Sequence, residues 1–220
     1  MNLKIYISFV AFLSLIAVKS QVNELIINED SYNQAVAFYS DATSNYNLKR
    51  YEQAKNQFDK AILLNPNNSD YFYGRGCSYY ELGTYDLAIA DLKMALSMEP
   101  DQSDYHYKLG NCYYRNKNYQ DAINNYQSAL RSSKVTEINI NEFNCKYNLG
   151  ICALFIKDYN LVEKVFSELI EDDDEYGELY YNRGVAKMNL NRNEDACLDF
   201  KKALTLDVPK ASRHVNTLCK

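Results

Sequence analysis

Apolar residues recur along this chain at the spacing of one helical face, as in Ala88, Leu92, Ala95 and Leu96. Small residues at Gly76 and Ala88 would let two helix backbones approach closely. Pro100 cannot continue a helix, so it ends one and sets the entry to the next. Only three prolines occur in 220 residues, which favours long helices and argues against a loop-rich β fold. The pattern predicts an all-α chain of paired helices. One such pair cannot bury its apolar face alone, whereas stacked neighbours can.

The punctuation returns with a fixed period. Gly76 and Gly110 are 34 residues apart, as are Gly150 and Gly184, and Pro66 and Pro100. Tyr51, Tyr85 and Tyr119 keep the same interval, and so do Ala54, Ala88 and Ala122. A 34-residue period of two helices resembles the tetratricopeptide repeat. Five copies fit, over residues 35–68, 69–102, 103–142, 143–176 and 177–210. The small residue of the first helix is Ala42, Gly76, Gly110, Gly150 or Gly184. The aromatic position of the second helix holds Phe58, Tyr126, Phe166 and Phe200, with Leu92 in the second copy. The resemblance implies a right-handed superhelical solenoid of five helix-turn-helix repeats with a concave inner face. Residues 211–220 read as a C-terminal capping helix, with Ala211, Val215 and Leu218 on one side.

Departures from the pattern mark irregular joints. Lys134, Asp174 and Val208 stand where copies three to five should have a closing proline. A six-residue insertion within SSKVTEININEF predicts a longer loop between copies three and four. Val162 and Leu169 replace alanine in the fourth copy, which predicts a wider separation of its two helices.

The N-terminus differs in kind. Lys4 precedes an apolar run from Ile5 to Val18, followed by Lys19, Ser20 and Gln21. A basic start, a short apolar core and small residues at Val18 and Ser20 predict a secretory signal peptide over residues 1–20. The run is short for a spanning helix, which needs about 20 apolar residues. The mature chain is therefore expected to be exported, periplasmic or secreted, without a membrane span. Residues 21–34 read as a mostly polar lead-in. The net charge is −5, and −7 without Lys4 and Lys19, with no basic cluster. Nucleic acid is a poor partner for such a chain, because that affinity rests on Lys and Arg meeting phosphate.

The resemblance places partner contacts at the second, fifth, ninth, twelfth and thirteenth residues of each copy. The fifth is tyrosine throughout: Tyr39, Tyr73, Tyr107, Tyr147 and Tyr181. The twelfth adds Tyr46, Tyr80 and Tyr114, then Leu154 and Met188, with Asp70, Glu81, Asp104 and Glu178 alongside. A tyrosine-lined, mildly acidic groove would suit a protein or peptide partner, since tyrosine offers apolar area with a polar tip. Packing within the repeats would place tyrosine there equally well. The family's clamp for chaperone C-terminal carboxylates needs Lys, Asn and Arg in three successive copies. Only Lys108 and Asn111 match in part, followed by Asn148 and Asn182, so that role is rejected.

No nucleophile–base set or metal motif is present, so no enzyme activity, cofactor or metal is expected. The expected function is a non-catalytic binding scaffold. The alternatives are an envelope assembly factor using the convex face, and a support subunit of an enzyme. The final copy, NEDACLDFKKAL followed by LCK, resembles exported repeat proteins of Bacteroidota-type bacteria.

The remaining chemistry is sparse. Export permits disulfides among Cys77, Cys112, Cys145, Cys152, Cys197 and Cys219. Cys197 and Cys219 are favoured as a pair, which would staple the end of the array. Cys145 and Cys152 are too far apart along one helix to bridge. Small buried core residues are the competing reading for all six. His106 reads as packing, and His214 has no partner in sequence. The run EDDDE, Glu171–Glu175, reads as a solvated turn. Asn67 in NNS is a glycosylation acceptor only in a eukaryote.

Overall fold

A computed structural model of the chain describes residues 29–136 and 142–219. The leader assigned to residues 1–20, the first part of the lead-in and insertion residues 137–141 lie outside the described residues.

Among the described residues every regular element is helical. In chain order they are α1 (29–47), α2 (Tyr51–Leu64), α3 (Ser69–Glu81), α4 (Tyr85–Met98), α5 (Ser103–Arg115) and α6 (Tyr119–Thr136). Then come α7 (Glu142–Phe155), α8 (Tyr159–Asp172), α9 (Gly177–Asn189), α10 (Asn193–Thr205), a 3-10 turn (Pro209–Ala211) and α11 (Ser212–Leu218). The chain divides between Leu82 and Gly83 into two compact units. The first holds α1 to α3 and the second holds α4 to α11. No helix among the described residues is long and apolar enough to cross a membrane.

Each first helix ends in the same backbone device. Lys49, Gly83, Lys117, Lys157 and Asn191 all have φ between 58° and 78°, in the left-handed region. Around Lys117 the chain folds back through Lys117 N–H to the Tyr114 carbonyl (3.0 Å) and Asn118 N–H to the Tyr113 carbonyl (2.9 Å). Lys157 and Asn191 repeat both bonds, and Lys49 does so in the first unit. This is the Schellman pattern, which satisfies carbonyls left over at a helix end. Lysine is a poor residue for it, because a Cβ strains the left-handed conformation by about 1–2 kcal/mol.

Outside the second copy, which has Leu92 at this place, the helices of a pair meet through one ring and one small residue. Phe58, Tyr126, Phe166 and Phe200 are all essentially fully buried. A Cβ added at Gly110 would lie 2.7 Å from the Tyr126 ring, and one at Gly150 would lie 2.8 Å from the Phe166 ring. In the first unit Ala42 holds this place and packs with Ala54 and Phe58. Val162 and Leu169 are fully buried, and the close approach at Gly150 survives them. The wider separation predicted for this pair is thus not seen at that contact.

Two boundaries differ from the sequence reading. Residues 29–34, placed in a polar lead-in, already belong to α1, where Gln34 Nε2 donates to Asp30 Oδ2 one turn away (3.0 Å). α6 has 18 residues against 14 in α4, so the insertion begins as helix rather than loop. Lys134 stands where a proline would have stopped it, and nothing in SSKVT forces an earlier end.

The C-terminal segment closes the last pair. Ala211 is fully buried, and Val215 and Leu218 pack on a cluster of Ala196, Phe200, Ala203 and Val208. A disulfide joins Cys197 on α10 to Cys219 just beyond α11, with Cα atoms 5.4 Å apart. Inside the pair, Asp199 accepts two bonds from Arg183 (2.9 and 2.7 Å) and one from Lys187 (2.8 Å). These contacts join α9 to α10. Cys77, Cys112, Cys145 and Cys152 are buried thiols outside the disulfide, and burial pushes the Cys145 and Cys152 thiols up to about 12.

Three outcomes follow from this packing. Gly150→Ala gains about 1 kcal/mol of helix propensity but forces a Cβ into the Phe166 ring, at a cost of about 1–3 kcal/mol. Its midpoint in urea should fall, and a rise would show that the ring moves freely. Lys157→Gly should raise that midpoint, by adding about 0.5–1 kcal/mol of stability through relief of the left-handed strain. Titration with a disulfide dye at pH 8 should find no reactive thiol in the folded chain and four after unfolding without reductant.

Candidate functional site

The first-helix tyrosines are extensions of the core. In the second unit Tyr107 of α5 packs on Tyr126 (ring centroids 6.0 Å), Tyr147 of α7 on Phe166 (5.8 Å) and Tyr181 of α9 on Phe200 (5.8 Å). In the first unit Tyr39 packs on Phe58 (6.0 Å) and on Tyr71 (5.2 Å). All four first-helix rings are partly buried, with one side on an aromatic partner. Tyr73 and Tyr80 are partly buried on α3, and Asp70 is exposed at its start. Packing thus accounts for one side of these four rings, and each keeps some exposed surface.

The twelfth-position tyrosines pack on the turn. Tyr46 meets Tyr51 edge-on at 5.4 Å, and its hydroxyl lies 3.4 Å from Glu81 Oε1. Burial, with Cys77 and Glu81 nearby, holds the Tyr46 hydroxyl well above the usual phenol range. Tyr114 lies against Tyr119 (6.0 Å), and Phe155 stacks flat on Tyr119 at 4.3 Å.

The polar candidates have local duties. Asp104 Oδ1 accepts from Ser103 Oγ (3.4 Å), and the backbone N–H of Asp70 donates to Asn68 Oδ1 (3.0 Å). Asn111 Oδ1 accepts from the Tyr126 hydroxyl (2.8 Å) and from Asn148 Nδ2 (3.4 Å). Its carbonyl oxygen is thus turned toward the protein, tying α5 to α6 and α7. His106 is likewise engaged, with Nε2 at 2.9 Å from the Pro100 carbonyl oxygen. His214 stacks on Phe200 at 4.4 Å, and burial, with Arg213, lowers its pKa.

The second unit also has a concavity of about 400 Å³ between α7 and α9. Ile151, Leu154 and Phe155 of α7, Tyr159 of α8, and Tyr181, Asn182 and Val185 of α9 line it. The lining is mainly apolar, and Phe155 is 55% exposed at its edge. Asn182 is 6% exposed, and its Nδ2 has no hydrogen-bond partner among the described residues. The Tyr147 hydroxyl is near enough for this amide to favour its phenolate, though without hydrogen-bond geometry. Burial, Tyr176 and Glu178 outweigh that effect and raise the Tyr147 pKa.

This site was only partly visible in the residue pattern. Ile151 and Val185 hold the ninth position of their copies, Leu154 the twelfth and Phe155 the thirteenth. The repeat register could therefore have found them. Asn182 holds the sixth position, and only its burial without a partner singles it out.

The comparisons with known proteins agree with this architecture. Models described as tetratricopeptide repeat match residues 39–97 and 73–134, and again 177–207, together more than half of the chain. A curated relative, the STIP1 homolog of Dictyostelium discoideum, is 44% identical over 59 residues. That match covers 27% of this chain and only 10% of the relative's length. Among solved structures, YrrB, described as a TPR protein with an unusual peptide-binding site, superposes with a TM-score of 0.74 at 22% identity. It covers 86% of this chain and 95% of its own. A MamA structure gives 0.70 at 20% identity, covering 81% of this chain and 94% of its own. With these repeat matches lying on successive helix pairs, the chain belongs to the tetratricopeptide repeat family.

Proposed function

We propose that this chain is a non-catalytic scaffold that holds a protein or peptide partner on its first-helix face, outside the cytoplasm. Membership of the family supports the interaction role, and the peptide-binding description of YrrB accords with it. The leader-like N-terminus and the Cys197–Cys219 bond support export, since disulfides persist in oxidising compartments.

The observation that carries the reading is Asn182. A buried amide N–H without an acceptor costs about 1–3 kcal/mol. Asn182 is among the residues that line an apolar concavity open to the surface. A partner that inserts an apolar side chain and offers a carbonyl oxygen would relieve that cost and cover Ile151, Leu154 and Val185 together. Tyr107, Tyr147 and Tyr181 would flank the same partner in the second unit. Tyr39, Tyr73, Tyr46 and Tyr80 occupy the same register in the first.

Asn182→Leu separates binding from folding. Leucine has similar volume and removes the unsatisfied amide, so the thermal midpoint should hold or rise. Partners captured from the exported fraction and identified by mass spectrometry should bind about fivefold more weakly, a loss of about 1 kcal/mol. Unchanged capture by the folded variant would refute the assignment of this concavity.

A further inference from the structure

One wall of the α7–α9 concavity is held from outside it. Tyr181 lines the concavity with one side of its ring. Lys210 Nζ sits 4.2 Å from its ring centroid, and the same ammonium pairs with Glu178 at 2.6 Å. The His214 ring lies 5.8 Å from Tyr181 and stacks on Phe200, the buried ring under Tyr181. Both buttresses belong to the segment that begins at Pro209.

That segment is weakly self-supporting. α11 has seven residues and buries none of them fully. A helix this short is unstable alone, because nucleation is unfavourable. The covalent tie at its far end is Cys219 to Cys197, which closes a span of 22 residues. The chemistry at this tie is also selective. Cys77, Cys112, Cys145 and Cys152 are buried, and Cys197 with Cys219 forms the disulfide.

We propose that the Cys197–Cys219 bond is a latch for the α7–α9 site, which becomes binding-competent only when the bond forms. This rests on the reading of the concavity given above. In the dithiol form Lys210 and His214 are released with α11, and Tyr181 loses two of the contacts that position it. Closure is exchange with a small-molecule or protein disulfide. The two thiols give up two protons and two electrons to form the S–S bond, and the oxidant leaves as two thiols. A chain that is reduced before export and oxidised after it would therefore acquire its partner only in the second compartment.

Hydrogen–deuterium exchange on the full chain tests the latch without any ligand. After treatment of the folded protein with a phosphine reductant, amides of 209–219 and of 177–185 should exchange about tenfold faster. Those of α5 and α6 should be unchanged. A Cys197→Ser, Cys219→Ser variant should behave in the same way without reductant. Lys210→Met, with the disulfide intact, should loosen 177–185 alone. Unchanged exchange over 177–185 in the reduced chain overturns the latch. Binding is read on immobilised chain, using the exported proteins lost from an Asn182→Leu column. The reduced column should lose that same set, and its full retention overturns the regulatory role. If the Asn182→Leu column loses nothing, the site assignment fails, while the exchange data still decide the latch.

Discussion

The fold depends on one contact, an aromatic ring of the second helix pressed against a residue of the first helix that has little or no side chain. Tyr126 on Gly110 and Phe166 on Gly150 leave no room for a Cβ. The ring sets the distance between the two backbones, and the missing side chain sets where along the helix they cross. The fifth-position tyrosine packs on the same ring, as Tyr147 does on Phe166 and Tyr181 on Phe200. The outward face of the first helices is therefore oriented by the core. A binding surface built this way needs few contacts of its own to hold its shape, because the rings that would meet a partner are already immobilised.

The same contact explains what the sequence makes legible. A ring and a glycine must match in phase, so the 34-residue period survives wherever that pairing does. It persists even in the pair carrying Val162 and Leu169. The left-handed turn residue matches in phase too, but it is lysine at 49, 117 and 157. Lysine carries no turn signal, so the backbone repeat there is invisible in composition. Helix ends are legible only where proline marks them. Lys134 replaces proline, and α6 accordingly runs on to Thr136.

The candidate site divides along similar lines. Repeat register finds Ile151, Leu154, Phe155 and Val185, because each stands at an outward position of its copy. It gives no sign that the Asn111 carbonyl oxygen is engaged by Tyr126 and Asn148. It cannot distinguish Asn148 from Asn182, which hold the same place one copy apart. Asn148 donates to a neighbour, while Asn182 Nδ2, though near the Tyr147 hydroxyl, makes no hydrogen bond. That difference arises from what the adjacent helix presents: Asn111 lies beside one and Tyr147 beside the other.

An apolar residue at 182 would fit the surroundings better than asparagine. Ile151, Leu154 and Val185 line the concavity with it, and the nearby Tyr147 hydroxyl does not complete a hydrogen bond that would repay the amide for lost water. Local packing alone thus gives no reason for an amide at this point. Rules of this kind are broken mainly where function compensates for lost stability. An extended peptide carries a carbonyl oxygen at every residue, so an amide donor beneath an apolar recess can recognise its main chain while the recess selects a side chain. A water molecule could satisfy the amide in the empty state, and its displacement would then reduce the gain from the hydrogen bond while leaving the apolar selection intact. On the proposed reading the concavity would discriminate partners chiefly by the apolar group they insert, and Asn182 would fix the direction in which the main chain runs past it.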